Sequence, residues 1–232
     1  MKRTTPYTFT TMKRTLFTLA FFLVASVAAP AQTPNTPVQP APAAAPNAAR
    51  KTGDAPAATQ AEAAAQKYFT DVVLIDQDGK PRRLYSDLLK GKTVVINAFF
   101  TTCTSVCPPM TRNLEKVQQA LGERFGRDVF FLSFSVDPEV DTPARLKDYA
   151  QKFHAKPGWT FLTGKKENLD WALYKLGQYV EDKNDHTTGI IIGNEATGLW
   201  KKALGIAPSA DLVKIVAGVA DDKPATADAK QN

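Results

Sequence analysis

The chain has 232 residues, a formal net charge of +6, two cysteines and two histidines. Its 44% hydrophobic content is enough for one buried core, and the length fits one domain with extensions. The charge does not point to nucleic acid: four cations, Lys2, Arg3, Lys13 and Arg14, lie in an N-terminal leader, and without them +6 falls to +2, too little for a phosphate-binding stripe.

Met12-Lys13-Arg14-Thr15, the apolar run Leu16 to Ala29 and the small-residue site Ala29-Pro30-Ala31 have the charged, apolar and cleavable parts of a secretory signal. Export to the periplasm is expected. The 14-residue apolar core is shorter than the roughly 20 residues that span a bilayer. A removed signal over residues 1–31 is therefore the first expectation, and an uncleaved anchor or contact with the membrane surface is the alternative. No cysteine lies near the cleavage site, which excludes lipid attachment there, and a second Met-Lys-Arg at Met1 points to Met12 as the start of translation. Residues 32–65 are Ala, Pro, Thr, Asn and Gln with almost no large apolar side chain, the composition of a disordered linker. A disordered tail is expected over residues 221–232, which leaves one domain at 66–220.

Within that domain, Tyr68 to Ile75, the Asp78-Gly79 turn and Arg82 to Tyr85 predict a hairpin leading into a helical turn at Ser86 to Lys90. Strands are then predicted at 93–100, 128–136, 159–162, 189–193 and 199–204. Helices are predicted at 107–125, 143–153, 166–176 and 208–219. Strands alternating with helices build a sheet covered on both faces. The turn-rich link 194–198 makes the last two strands antiparallel. The expected fold is α/β, a thioredoxin-like sandwich with a mixed central sheet and an N-terminal β-hairpin extension. In Asp141-Thr142-Pro143 a capping side chain and a first-turn proline open the second helix.

Cys103 and Cys107 stand in Thr101-Thr102-Cys103-Thr104-Ser105-Val106-Cys107-Pro108, straight after the first central strand. Met110, Leu114, Val117 and Leu121 recur behind them at helical spacing. Both sulfurs thus arrive at a helix N-terminus, where unpaired N–H groups and the positive end of the dipole favour thiolate. The alternative is a structural disulfide, common in exported proteins. A bridge closing so short a loop would add only about 2 kcal/mol, which a domain of this size does not need. Zinc is a poor candidate because a closed structural site takes four ligands. Two soft thiolates with one imidazole suit copper, Cu(I) above all.

Of the two histidines, His154 follows the capped helix in a polar connection and reads as a surface residue. His186, in Asn184-Asp185-His186-Thr187, precedes the apolar strand Ile190-Ile191-Ile192. In a thioredoxin-like layout the loop entering that strand faces the N-terminus of the cysteine helix, within reach of both sulfurs. Asp185 reads either as a partner orienting the imidazole or as a turn residue.

These residues resemble the Sco/SenC family of exported, copper-binding, thioredoxin-like proteins that assist cytochrome c oxidase assembly. The resemblance runs from about Tyr68 to Val219 and rests on Cys103-x-x-x-Cys107-Pro108, on Phe134-Ser135-Val136-Asp137-Pro138-Glu139-Val140-Asp141-Thr142-Pro143, on Leu162-Thr163-Gly164 and on Asp185-His186-Thr187. It implies that Cys103, Cys107 and His186 bind one copper ion. It also implies delivery of that copper to, or thiol reduction of, the binuclear copper site of a client such as oxidase subunit II. This chain has Thr104-Ser105 where the family usually carries Pro-Asp, and Thr101-Thr102 in place of an aromatic and a small residue, so one negative charge is missing beside the site.

Two other functions compete. In a thiol-disulfide oxidoreductase, served by a thiol reductant, Cys103 would attack and Cys107 would resolve. A peroxiredoxin-like peroxidase is suggested only by Thr104-Ser105-Val106-Cys107 and leaves the Asp-His motif unused.

Overall fold

Strand β3 (Thr93–Phe99) is buried at every position, so its sequence is one apolar run instead of an alternation. The computed structural model describes residues 57–223; the expected signal, most of the expected linker and the end of the expected tail lie outside the described residues.

Helix α1 (Ala57–Phe69) is followed by the strands β1 (Val73–Asp76) and β2 (Pro81–Arg83), then by a wide π-type turn at Leu84–Leu89. After β3 come α2 (Cys107–Leu121), β4 (Val129–Ser135), α3 (Pro143–Lys152), β5 (Trp159–Thr163) and α4 (Lys166–Lys175). The hairpin β6 (Gly189–Asn194) and β7 (Leu199–Leu204) and helix α5 (Ser209–Ala220) complete the fold. The sheet order is β2-β1-β5-β4-β3-β6-β7. Strand β3 runs parallel to β4 from Thr93↔Val129 to Phe99↔Ser135 and antiparallel to β6. Two apolar cores flank this sheet, one packed with α2, α3 and α5 and the other with α4 and the turn at Leu84–Leu89. This is the thioredoxin-like sandwich read from the sequence, with β1 and β2 as its added hairpin.

Three boundaries depart most from the sequence reading. The linker expected to reach residue 65 already contains α1, whose Ala-rich sequence is the best helix former among the residue types. The strand expected from Tyr68 begins only at Val73, because Tyr68 and Phe69 complete that helix. At the other end, Asp221 and Asp222 are bonded into the domain: Arg124 pairs with Asp221 at 2.8 Å, and Asn194 donates to the Asp222 carbonyl.

Gly193 faces Trp200 across the last hairpin. A Cβ at Gly193 would lie 2.1 Å from the Trp200 ring, so the glycine is what lets the indole lie flat over β6. Gly193→Ala is expected to cost about 2 kcal/mol, in the range of core overpacking. Urea unfolding would measure it. If the same loss appeared in a Trp200→Leu background, the clash would not be its cause.

Candidate metal centre

The first residue of α2 is Cys107, with prolines at its next two positions, where a missing N–H costs nothing. Cys107, Met110, Leu114, Val117 and Leu121 form the buried face of α2, so the helix packing that covers the core also fixes the thiol. Cys103, four residues earlier, is also buried, and its sulfur accepts the Cys107 N–H at 3.4 Å. Both cysteines are free thiols.

His186 ends the short turn Lys183–Asp185 and is 8% exposed. Its ring stands edge-on to Phe100 at 5.1 Å between centroids. Nδ1 lies 2.6 Å from the Lys183 carbonyl oxygen and Nε2 lies 3.0 Å from Cys107 Sγ. A carbonyl can only accept, so Nδ1 carries the proton and Nε2 offers its lone pair to the sulfurs. The donor atoms of Cys103, Cys107 and His186 all lie within 4.8 Å of one another. The structure thus brings together the three residues read from the sequence. His154 stays away: it is exposed and its Nδ1 bonds Glu115 at 2.8 Å.

The orienting role open to Asp185 belongs instead to a main-chain carbonyl. Asp185 is exposed, and the short turn puts the Lys183 oxygen under the imidazole. A carbonyl has no sequence signature, so nothing in the chain announced it. Lys183 is itself held, with Nζ 2.7 Å from Asp137 Oδ2 and 5.4 Å from the Phe100 ring.

A second support, also missed, holds the cysteine loop. Asp141 is fully buried; it accepts the Thr101 N–H at 3.2 Å, the Thr101 hydroxyl, and the Ser135 hydroxyl at 2.6 Å. The start of the loop is thereby tied to the end of β4. The available signal was a second aspartate in the run from Phe134 to Pro143, but the capping motif explained it first. In the structure the cap is Thr142, whose side chain accepts from Arg145 N. The replaced positions Thr104 and Ser105 are exposed, and Ser105 Oγ lies 3.8 Å from Cys103 Sγ.

The two thiols are chemically unequal. Burial pushes Cys103 up, but the N–H and thiol of Cys107 and the Ser105 groups outweigh it and bring Cys103 below its ordinary value. For Cys107, burial dominates and pushes it up to about 12. Iodoacetamide at pH 8 is therefore expected to modify Cys103 at least about tenfold faster than Cys107, since only thiolate reacts. The Cys103 rate should level off at a lower pH than that of an ordinary thiol, while the Cys107 rate still climbs. Equal rates, read by peptide mass spectrometry, would contradict this asymmetry.

The chain matches the SCO1/SenC family over residues 58–218. It is similar to the SCO1 protein homolog of Bacillus subtilis (strain 168), 42% identical over 90 residues, which are 38% of this chain and 45% of that protein. The chain thus spans between about a third and half of the length of such curated relatives. Among solved structures it is similar to BsSco, a member of the Sco family of cytochrome c oxidase assembly proteins in which a disulfide switch is identified. That similarity is 30% identity and a TM-score of 0.55, over 65% of this chain and 92% of that one. Bradyrhizobium japonicum ScoI with copper bound is 27% identical with a TM-score of 0.54, over 64% of this chain and 96% of that one. Because the family match runs over more than half of its residues, the chain belongs to the SCO1/SenC family.

Proposed function

We propose that this protein is an exported copper metallochaperone that takes one copper ion on Cys103, Cys107 and His186 and passes it to a copper-receiving partner of cytochrome c oxidase. The observation carrying this reading is the donor set itself: two thiols and an imidazole nitrogen of fixed tautomer, all within 4.8 Å. Soft sulfur donors with one imidazole hold Cu(I), and the nitrogen adds affinity for Cu(II). Copper is the cargo, so the residues must hold it firmly and also release it. Burial of Cys107 favours its neutral thiol whenever the metal is gone, and proton uptake at that sulfur thus assists release. Copper-bound ScoI and the oxidase-assembly role of the BsSco family support the cargo and the partner class. The signal-like leader supports action outside the cytoplasm.

The thiol asymmetry favours a second use of the same pair. Cys103 thiolate would attack a client disulfide, forming a mixed disulfide and releasing one client thiolate. Cys107 would then displace the second client thiol and leave Cys103–Cys107 oxidised, to be reduced by an external thiol.

Anaerobic titration of the reduced chain with copper tests the first reading. One tight equivalent with a sulfur-to-copper charge-transfer band is expected. No tight binding, together with a reversible Cys103–Cys107 disulfide, would leave thiol reduction as the function.

A further inference from the structure

Behind the sheet, on the face away from α2, a cleft of about 570 Å³ opens between α1, α4 and the β6–β7 hairpin. Phe69, Ile191 and Trp200 line its apolar interior, and Tyr68 and Tyr174 stand on it at 52% and 65% exposed. Trp171, beside Tyr174 on α4, is 41% exposed and lines the adjoining hollow with Glu167, Asp170 and Tyr179, so large aromatic rings face water along the rim of the cleft. Exposed aromatics clustered in this way signal an interaction surface and need an occupant.

The charges select one. Lys175, Lys201 and Lys202 line the cleft, and among the described residues no carboxylate does. Lys175 Nζ sits 4.5 Å from the Tyr68 ring and 4.6 Å from the Trp171 ring. Lys202 shares the strand face of Trp200 by the two-residue period of β7. Tryptophan and tyrosine beside lysine is the side-chain chemistry of a lipid-water interface, where amphipathic rings settle at headgroup depth and ammonium groups meet lipid phosphates.

The chain order agrees. The wall of the cleft is α1, the first described element after the apolar run Leu16 to Ala29, with 27 residues between them. Where that run is kept as the anchor, the alternative to a removed signal, it tethers the cleft to a bilayer and raises the effective concentration of headgroups.

We infer that the aromatic and lysine-lined cleft between α1, α4 and β7 docks the domain on an anionic phospholipid surface. The docked face lies opposite α2, which leaves Cys103, Cys107 and His186 turned to a partner. The inference is independent of what those three residues bind.

The test adds the full chain to vesicles whose acyl chains carry bromine, a short-range quencher of indole fluorescence. On phosphatidylglycerol, Trp171 emission, taken as the difference from Trp171→Phe, should fall at least about twofold. It should stay unquenched on phosphatidylcholine and in Lys175→Gln/Lys202→Gln on phosphatidylglycerol, with the melting temperature of that variant unchanged. Vesicle-bound chain whose Trp171 is unquenched on phosphatidylglycerol would overturn the inference, because the apolar run alone would then do the binding. Equal quenching on both lipids, or in the lysine variant, would overturn it as well.

Discussion

Replacing His186 by alanine should weaken copper binding by the reduced chain about a hundredfold to a thousandfold, while His154→Ala changes nothing. Structural metal sites draw roughly 10–16 kcal/mol from four ligands, so one ligand supplies about 3–4 kcal/mol, or two to three decades. The imidazole has little else to do: Nδ1 is committed to the Lys183 carbonyl, and only Nε2 faces the sulfurs. Its loss should be felt more by Cu(II), which favours nitrogen, than by Cu(I), which two thiolates can still hold. Competition with a chromogenic chelator reads the affinity in each oxidation state. The contrast with His154 matters because both residues have the same chemistry and differ only in placement, His154 being exposed and bonded to Glu115. Unchanged affinity in His186→Ala, in both oxidation states, would remove His186 from the donor set and leave the two thiols as the copper ligands. Retained disulfide-reducing activity in the same variant would leave the thiol chemistry standing.

How far the sequence reaches depends on how local the cause is. Cys103 and Cys107 are legible because a fully buried, mostly apolar strand, two sulfurs and a helical period follow one another within 30 residues. His186 is legible only through topology, since it lies 79 residues from Cys107 and nothing but the antiparallel return of β6 beside β3 brings it there. Helix α1 escaped because alanine is as common in a linker as in a helix. Its order comes from contacts no window of sequence contains: Tyr85 Oη donates to the Glu62 carbonyl, Glu62 pairs with Lys90, and Tyr68 Oη donates to the Lys175 carbonyl. The carbonyl that orients His186 is invisible for a different reason, because every residue has one. Asp185, a more eye-catching neighbour, is left in solvent.

The other large effect belongs to Asp141, which touches neither sulfur. Asp141→Ala should destabilise the domain by about 4 kcal/mol, because it leaves the half-buried Thr101 N–H and hydroxyl and the buried Ser135 hydroxyl without their acceptor, at about 1–3 kcal/mol for each such group. For a domain of this size that is a fall of roughly 8–16 °C in melting temperature. Asp148→Ala, an exposed aspartate on α3, should be silent by comparison. The loss would also reach the metal centre. Thr101 follows Phe100, which packs on His186, and precedes Cys103 by two residues, so freeing it loosens both sides of the donor set. A folded Asp141→Ala chain, studied well below its melting temperature, should therefore bind copper more weakly although all three donors remain. Asp141→Asn, which keeps one acceptor oxygen, should recover part of both properties. Wild-type melting with wild-type copper affinity in Asp141→Ala would mean that the loop is held by packing alone and that the buried carboxylate is not its anchor.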